Sequence, residues 1–236
     1  MKKYNKKHIG EKHITNEGYE LTIVDGSSKK NYCTIQIEEW KCEKQYGHIK
    51  RGNIKYPFHK TIFGVGYFGV GKYSWGATQK IYNTWHSMMQ RCYSSGLHEK
   101  HPTYIGATVC KEWHNFQNFA EWHDDNYIGG YELDKDLLSK KYKTYSPSTC
   151  LFIPQALNTF LTNKKLNNTN GYNSVYCQRK KWIAKISINN IRVYLGTFDT
   201  AIEAHKAYLT ARENQATKLR ELYKNEYSEE ILANIR

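Results

Sequence analysis

The chain has 236 residues and a formal net charge of +13, enough length for one large domain or two to three small ones. No apolar run reaches the roughly 18 residues of a membrane-spanning helix, and the basic start lacks the apolar segment of a secretory signal. Six cysteines are scattered without a CxxC pair, which is typical of reduced thiols, so we expect a cytoplasmic protein.

Basic residues are concentrated towards the two ends of the chain. Residues 1–75 hold 14 lysines and arginines against 7 acidic residues, and residues 166–236 hold 11 against 7. The middle, residues 76–165, is nearly balanced at 10 against 8. Two basic regions around a central unit suit a polyanionic partner such as DNA.

The first third of the chain predicts short β-strands. Apolar and polar residues alternate over residues 19–24 and 32–40, and the intervening Asp25-Gly26-Ser-Ser is typical of a turn. We therefore expect a small β-barrel-like module over residues 1–62.

A basic segment closes this module. Lys50, Arg51 and Lys55 are interleaved with aromatic residues such as Tyr56 and Phe58, as in a nucleic-acid contact. A solvated loop that follows a barrel explains the pattern equally well. The segment is similar to the end of short N-terminal modules in phage-encoded homing-endonuclease-like proteins, with Tyr56 in place of the asparagine in their G-x-I-K-N-P ending.

A glycine-rich stretch that begins at Gly64 spells G-x-G-x-x-G. The surroundings of a dinucleotide site are missing, because no helix with apolar periodicity begins at Gly69 and no suitable acidic residue follows. We interpret residues 63–75 as a flexible linker.

The central region, residues 76–163, predicts helices around a pair of strands. Apolar residues with helical spacing and turn residues between them indicate five elements. They are a helix over 78–94, a helix over 112–126, a strand over 131–138, a strand over 145–154 and a helix that begins at Pro154.

Four phrases of this region resemble the middle of phage HNH-like proteins. They are W-x-x-M-x-x-R-C-Y from Trp85, H-P-x-Y from His101, V-C-x-x-W-x-x-F-x-x-F from Val109, and L-D-K-D from Leu133 with Y-S-P-x-x-C-x-F-I-P-x-x-x-N from Tyr145. The resemblance covers roughly residues 76–163 and implies a ββα-metal finger that hydrolyses phosphodiesters with one Mg²⁺ or Mn²⁺ ion.

The resemblance assigns roles to individual residues. Asp134 and Asn158 fall on metal-ligand positions. Lys135 stands where the family has its catalytic-base histidine, and Thr149 stands where a central asparagine orients that histidine. The pattern therefore departs from the family at the base itself.

A lysine in place of the base has consequences for activity. With an ordinary pKa of about 10.4, Lys135 is a cation rather than a proton acceptor. Either His123 or His101 supplies the base, or the finger has lost its activity. An ion-paired strand end over residues 134–136 is an equally supported structural interpretation.

A zinc site is the other metal hypothesis for this region. The spacing of the candidate ligands, C-x5-H-x2-H-x8-C-x3-H, matches no standard zinc finger. The candidates are Cys92, His98, His101, Cys110 and His114. We favour the interpretation that the cysteine belongs to the core and the histidines lie at the surface, rather than that these residues bind a structural zinc ion.

The last third of the chain predicts three strands and a long helix. The strands are Val175–Gln178, Trp182–Ile188 and Arg192–Phe198. Two asparagines at 189–190 are typical of a tight turn. Thr200 and Glu203 form a predicted capping box for a helix over about 201–224, and a short capped helix follows over 228–235.

The phrase W-I-A-K-I … R-V-Y-L-G-T-F-D-T-A-I-E-A-H-K-A-Y resembles the plant ethylene-response-factor (APETALA-type) DNA-binding domain, over about residues 171–212. In that family a three-stranded sheet lies in the major groove of duplex DNA. Arg179 and Lys181, in and beside the first turn, add positive charge. The family's contact positions fall on Tyr176, Gln178, Lys185, Ser187, Arg192, Tyr194 and Thr197.

The contact residues themselves differ from the family pattern. Tyr176 and Gln178 stand where the family uses arginines, and Lys185 and Ser187 stand where it has glutamate and arginine. We therefore expect the groove-binding mode to carry over, but not the plant target sequence. The alternative is a small structural unit with a solvated basic face.

The two resemblances together imply an α+β protein of phage or mobile-element origin that binds double-stranded DNA inside a bacterial host. They imply a central HNH-like domain at 76–163 and a groove-binding domain with a helical extension at 168–236. The expected activity is that of a metal-dependent homing endonuclease. The alternative is a catalytically degenerate relative that acts only by binding, as a DNA-binding regulator or as a phage inhibitor of a host defence protein.

Overall fold

A computed structural model describes residues 6–74, 76, 78–138, 143–162, 171–189 and 191–236. The chain divides into two compact units, residues 1–95 with 111–120 and residues 96–110 with 121–236. The architecture is mixed α/β, with an N-terminal antiparallel sheet and a C-terminal three-stranded antiparallel sheet with a helix, which confirms the predicted fold class. None of the described helices is long and apolar enough to cross a membrane.

The described strands form one four-stranded sheet, one three-stranded sheet and two strand pairs. In chain order the elements are β1 (Lys12–Ile14), β2 (Glu20–Gly26), β3 (Tyr32–Ile37), β4 (Trp40–Gln45), α1 (Tyr46–Lys50), α2 (Gln79–Tyr93), α3 (Ser95–Lys100), β5 (Thr108–Val109), α4 (Phe116–Asn126), β6 (Tyr131–Asp134), β7 (Thr144–Tyr145), β8 (Leu151–Pro154), α5 (Gln155–Thr162), β9 (Val175–Gln178), β10 (Lys181–Ile188), β11 (Ile191–Phe198), α6 (Ala201–Leu222) and α7 (Glu229–Leu232). Two short 3-10 helices cover Pro102–Tyr104 and Lys111–His114.

The N-terminal sheet has the order β1-β2-β3-β4 and is antiparallel throughout. Alternate residues of β3, namely Cys33, Ile35 and Ile37, are buried. They form an apolar core with Leu21 from β2 and Ile49 from α1. The sheet is open in the part of the chain that the structure describes, rather than closed into the predicted barrel.

The strand predicted over residues 32–40 is a hairpin. β3 ends at Ile37 and β4 begins at Trp40, and Glu38 between them has a φ of +51°. Left-handed backbone is typical of glycine and asparagine, so a glutamate at this position carries no turn signal in the sequence.

The glycine-rich segment predicted to be a flexible linker packs closely within the first unit. A Cβ atom added at Gly69 would lie 2.1 Å from the side-chain oxygen of Asn115. The N–H of Tyr67 donates to the carbonyl of His114 at 2.9 Å, and the N–H of Phe116 donates back to the carbonyl of Tyr67 at 2.9 Å. The glycine therefore allows a close approach between two chain segments.

Helix α2 confirms the predicted apolar stripe, because its buried residues are Trp85, Met88, Met89 and Cys92. The helix predicted over residues 112–126 is interrupted. Its first turn is a 3-10 helix, and Asn115 then accepts a hydrogen bond from the N–H of Gln117 at 3.1 Å through its side-chain oxygen. This local hydrogen bond caps the start of α4, which begins at Phe116 as a separate helix.

Two strand pairs and a helix follow in the second unit. β6 pairs antiparallel with β8, and α5 follows β8, which gives the order ββα. β7 pairs in parallel with β5 instead, so the strand predicted over residues 145–154 is two separate strands. α5 begins at Gln155 rather than Pro154, because Pro154 still pairs with Tyr131 in the β6–β8 ladder.

The C-terminal sheet has the order β11-β10-β9 and is antiparallel throughout. The predicted capping box is present: the N–H of Glu203 donates to the Thr200 hydroxyl at 3.2 Å, and the N–H of Thr200 donates to the Glu203 carboxylate at 3.1 Å. Helix α6 then covers one face of the sheet, where Val175, Ala184 and Ala204 are fully buried.

Helix α6 extends beyond the sheet to Leu222 and joins a second core. Ala216 and Leu219 from its second half pack with Leu157 and Phe160 of α5. Between the two halves, the buried Arg212 donates to the carbonyl of Phe160 at 3.1 Å, and its guanidinium lies 4.2 Å from the centre of that ring. One helix thus supports both the sheet and the ββα region.

The paired asparagines predicted a tight turn. Asn189 has a φ of +50°, as the predicted turn between β10 and β11 requires, and Asn190 lies outside the described residues. At the end of the chain, the Ser228 hydroxyl accepts from the N–H of Ile231 at 3.4 Å and caps α7 as predicted.

Candidate nucleic-acid interface

The register of the C-terminal sheet decides which side chains share a face. Residues paired across antiparallel strands point to the same side of a sheet. Ile183 of β10 pairs with Tyr176 of β9 and with Thr197 of β11, while Lys181 pairs with Gln178. Because Ala184 faces α6 and is buried, its neighbour Ile183 faces the other way.

A β-bulge extends this face along β11. The register shifts between Ala184 and Lys185, so that Lys185 pairs with Tyr194 and Ser187 pairs with Arg192. Without the bulge, regular pairing would put Leu195 opposite Lys185 and Val193 opposite Ser187. The bulge therefore brings the polar side chains of β11 onto the same face as Thr197.

We call this surface the open face. It carries all eight strand residues that the sequence predicted as DNA contacts, together with one apolar residue. Its members are Tyr176, Gln178, Lys181, Ile183, Lys185, Ser187, Arg192, Tyr194 and Thr197. Arg179 lies in the turn next to it, exposed and with a φ of +50°. None of the nine side chains is acidic, so the surface suits an anionic partner.

Contacts within the open face hold several of its side chains in place. The ammonium group of Lys185 lies 5.3 Å from the centre of the Tyr176 ring. The hydroxyl groups of Tyr194 and Thr197 are 2.6 Å apart. Lys181 forms an ion pair with Asp199, just past the end of β11. Arg192 and Ser187 are exposed at the other end of the face.

The basic segment of the first unit is a separate surface. Lys50, Arg51 and Lys55 are exposed, while Ile54 and Tyr56 between or beside them are buried in the N-terminal core. The Tyr56 hydroxyl donates to Glu38 at 2.7 Å; burial and this carboxylate raise the pKa of Tyr56 to about 12. Tyr56 therefore anchors the segment, and its three basic side chains face solvent.

The first predicted metal ligand, Asp134, has a structural role in the ββα region. Its Oδ1 atom accepts hydrogen bonds from the N–H groups of Asp136 at 3.0 Å and Leu137 at 2.7 Å. This capped turn ends β6 at Asp134, four residues before the predicted end of the strand. Burial raises the pKa of the Asp134 carboxyl above its ordinary value.

The second predicted ligand, Asn158, has a partner that the sequence did not suggest. Its amide donates to the carboxylate of Glu132 at 2.5 Å. Glu132 is exposed on β6, two residues before Asp134. The pairing of β6 with β8, which leads directly into α5, brings Glu132 to Asn158, and this non-local contact has no local sequence signal.

The residue at the family's base position, Lys135, has its own partners. It forms an ion pair with Asp136, and its ammonium group lies 5.6 Å from the centre of the Tyr145 ring. Thr149, the other departure from the family, donates to the carbonyl of Thr144 at 2.6 Å and closes the turn between β7 and β8. Both residues stabilise local structure.

The two alternative bases occupy different environments. His123 is buried on α4, where its ring stacks on Tyr127 at a centroid distance of 4.7 Å and meets Phe152 at 5.0 Å. His101 is exposed, and its ring lies 6.3 Å from that of Tyr104. His123 is thus part of an aromatic cluster, whereas the ring of His101 lies at the surface with the Tyr104 ring edge-on to it.

The candidate zinc ligands also differ in exposure. Cys92 is buried on the apolar stripe of α2, whereas His98 and His114 are partly exposed. Within the described ranges, no group of three or more His, Cys, Asp or Glu side chains is placed so that it could hold a metal ion.

Comparison of the chain with models of known protein families gives no match, and neither does comparison with curated proteins or with solved structures.

Proposed function

We propose that this protein binds double-stranded DNA with the open face of its C-terminal sheet in the major groove. One observation carries the proposal. The eight strand residues that were predicted to contact DNA lie on the same face of the sheet, and that face has no acidic side chain. Helix α6 covers the opposite face, so the open face is accessible within the second unit. The resemblance to the plant ethylene-response-factor domain supports the same binding mode.

The dimensions of the sheet suit the groove. Neighbouring strands lie about 4.8 Å apart, so the three backbones span roughly 10 Å. The major groove of B-form DNA is about 12 Å wide and exposes the hydrogen-bonding edges of all four base pairs. A sheet of this width can therefore lie in the groove with its open face towards the base edges and its cations near the phosphate backbone.

A binding titration with a charge-reversal variant tests the proposal. The full chain is titrated onto a fluorescent 30-base-pair duplex, and the Lys185→Glu/Arg192→Glu variant is measured beside it. We expect at least a hundredfold loss of affinity, because two attractive phosphate or base contacts become repulsive. Lys218→Glu, an exposed charge reversal on α6, is the control and should change affinity far less. Equal binding by wild type and the double variant would exclude the open face.

Phosphodiester hydrolysis in the ββα region is a second candidate function. The order β6-β8-α5 and the contact between Asn158 and Glu132 favour it, because they bring two side chains with oxygen atoms together on and next to the strand that carries Asp134. A bound Mg²⁺ or Mn²⁺ would neutralise charge on a phosphate there. Glu132, Asn158 and the Oδ2 atom of Asp134 are the groups that would hold it, since Oδ1 caps the turn.

Nicking of a supercoiled plasmid in Mg²⁺ or Mn²⁺ tests this candidate. A metal-dependent activity that falls by orders of magnitude in Asn158→Ala and Glu132→Gln would support it. Lys135→His, which restores the family's base position, should then raise the activity. Duplex binding without nicking would instead favour a protein that acts by binding alone, as a regulator or as an inhibitor of a host protein.

A further inference from the structure

One side chain departs from the polar pattern of the open face. Ile183 lies on the central strand β10, between Tyr176 on β9 and Thr197 on β11. It is partly exposed. Among the described residues, the apolar side chains that pack on the core beneath α6 include Trp182, Leu195 and Phe198 but not Ile183. An aliphatic group is therefore presented at the middle of the surface that we assign to DNA.

Cations stand on both sides of this residue along the same strand. Lys181 and Lys185 are each two residues from Ile183, about 6.6 Å away along β10. In a groove-bound sheet, lysines at the two ends of such a row reach phosphates. The residue between them then faces the base edges, where hydrogen bonds and apolar contacts read the DNA sequence.

The two residues that flank Ile183 across the sheet extend the apolar patch. The hydroxyl of Thr197 is held by Tyr194, with 2.6 Å between the two oxygens, so the γ-methyl is the other group that Thr197 can present. The ring of Tyr176 carries the ammonium group of Lys185 at 5.3 Å. The centre of the open face is thus an apolar spot bounded by cations.

We propose that Ile183, together with the methyl group of Thr197, selects thymine at one position of the DNA site through the C5-methyl group of that base. The thymine methyl is the apolar group that the major groove offers, and aliphatic side chains contact it in specific complexes. This inference rests on the proposed function and adds to it the base that the centre of the sheet reads.

Replacement of thymine by uracil removes this methyl and leaves the base-pairing edge intact. A preferred 30-base-pair duplex is first selected from random sequences with the full-length wild-type chain. Each thymine in the selected site is then replaced by uracil in turn. We expect one replacement to weaken binding about fourfold, the factor that corresponds to one buried methyl-sized group. Replacement of thymines outside the site is the control and should leave affinity unchanged.

Two variants assign the effect to Ile183. Ile183→Ala should lose most of the discrimination between the thymine and uracil duplexes, with only the Thr197 methyl left to contact the base, and Ile183→Ser, which carries no methyl group, should lose it as well. Ile202→Ala removes an exposed isoleucine on α6 and should discriminate like wild type. Circular dichroism confirms that each variant is folded.

The outcomes separate this inference from the proposed function. Wild-type protein that binds duplex DNA but treats thymine and uracil alike at every position would overturn the inference and leave the function standing. Undiminished discrimination by a folded Ile183→Ser variant would also overturn it. Failure of the wild-type chain to bind any duplex would overturn the proposed function and the inference with it.

Discussion

The open face and the ββα region belong to the same compact unit, yet their predicted functional residues differ in how available they are to a ligand. On the open face, eight predicted residues share one surface, and all of them except the partly exposed Lys185 are exposed. In the ββα region, Asp134, Lys135 and Thr149 are held by backbone groups or by a neighbouring charge. Side chains available to a ligand are thus concentrated on the sheet. For this reason we propose DNA binding as the main function and phosphodiester hydrolysis as the second candidate.

The largest effect should come from separating the sheet from its helix. Ala204 is fully buried where α6 meets the sheet, so Ala204→Arg places an unpaired charge in that core. We expect a loss of several kcal/mol in the free energy of unfolding and, with it, loss of DNA binding. Thermal unfolding followed by circular dichroism measures the change. Ala233→Arg, at an exposed alanine, should melt like wild type.

Loss of Arg192 tests whether the open face reads bases. Arg192 is exposed and paired with Ser187 at one end of the face. An arginine forked onto guanine contributes about 1–3 kcal/mol of base discrimination. Arg192→Ala should therefore weaken binding to the selected site about 5- to 150-fold and weaken binding to random duplex much less. Equal losses on both duplexes would instead make Arg192 a phosphate contact; Lys218→Ala serves as the charge-matched control.

Part of this architecture follows from local sequence patterns. Strict alternation in β10 predicted which residues face α6, and Thr200 with Glu203 predicted the start of the helix. Gly196, next to Leu195, is a local signal for the bulge, because an isolated glycine inside a strand favours such an irregularity. Which residue is the extra one is defined by the partner strand. The resemblance did place Thr197 and Tyr194 on one face, which strict alternation along β11 does not allow.

Other features depend on contacts between distant parts of the chain. The turn at Glu38 lacks glycine and asparagine, and the parallel pairing of β5 with β7 joins segments more than 30 residues apart. The contact between Glu132 and Asn158 arises in the same way, from the pairing of β6 with β8. Single-sequence periodicity contains no information on such pairings, so the ligands of the ββα region were predicted only through the family resemblance.

Replacement of Asp134 tests whether the ββα region uses this residue for structure. Asp134→Ala removes the acceptor for two backbone N–H groups, and loss of such a cap costs about 1–2 kcal/mol of stability. We expect a lower midpoint in urea unfolding with unchanged DNA affinity. Asp125→Ala, an exposed aspartate on α4, should leave the midpoint in place. A stable Asp134→Ala variant that loses metal-dependent nicking would assign the residue to catalysis instead.

The pH dependence of stability gives an independent check on Asp134. Burial raises the pKa of this carboxyl above its ordinary value of 3.8, so the folded state holds the proton at a pH where the unfolded state has released it. The free energy of unfolding should therefore fall as pH rises from about this value through the raised pKa. Asp134→Asn, which keeps the acceptor oxygen, should flatten this fall in urea titrations at stepwise pH. An unchanged slope would show that Asp134 ionises as freely as in the unfolded chain.

The smallest effect concerns Lys185, and it distinguishes a phosphate contact from a base contact within the open face. Lys185 lies beside Ile183 on β10 with its ammonium group over the Tyr176 ring, a position from which a flexible cation reaches the DNA backbone. A phosphate lysine releases one counterion on binding, so Lys185→Ala should weaken binding to selected and random duplexes alike. The slope of log affinity against log salt concentration should become less steep by about one unit. Tyr176→Phe keeps the ring beneath the ammonium group and should retain the wild-type slope. A Lys185→Ala variant that loses affinity only for the selected site, with the salt slope unchanged, would make Lys185 a base-reading residue like Arg192.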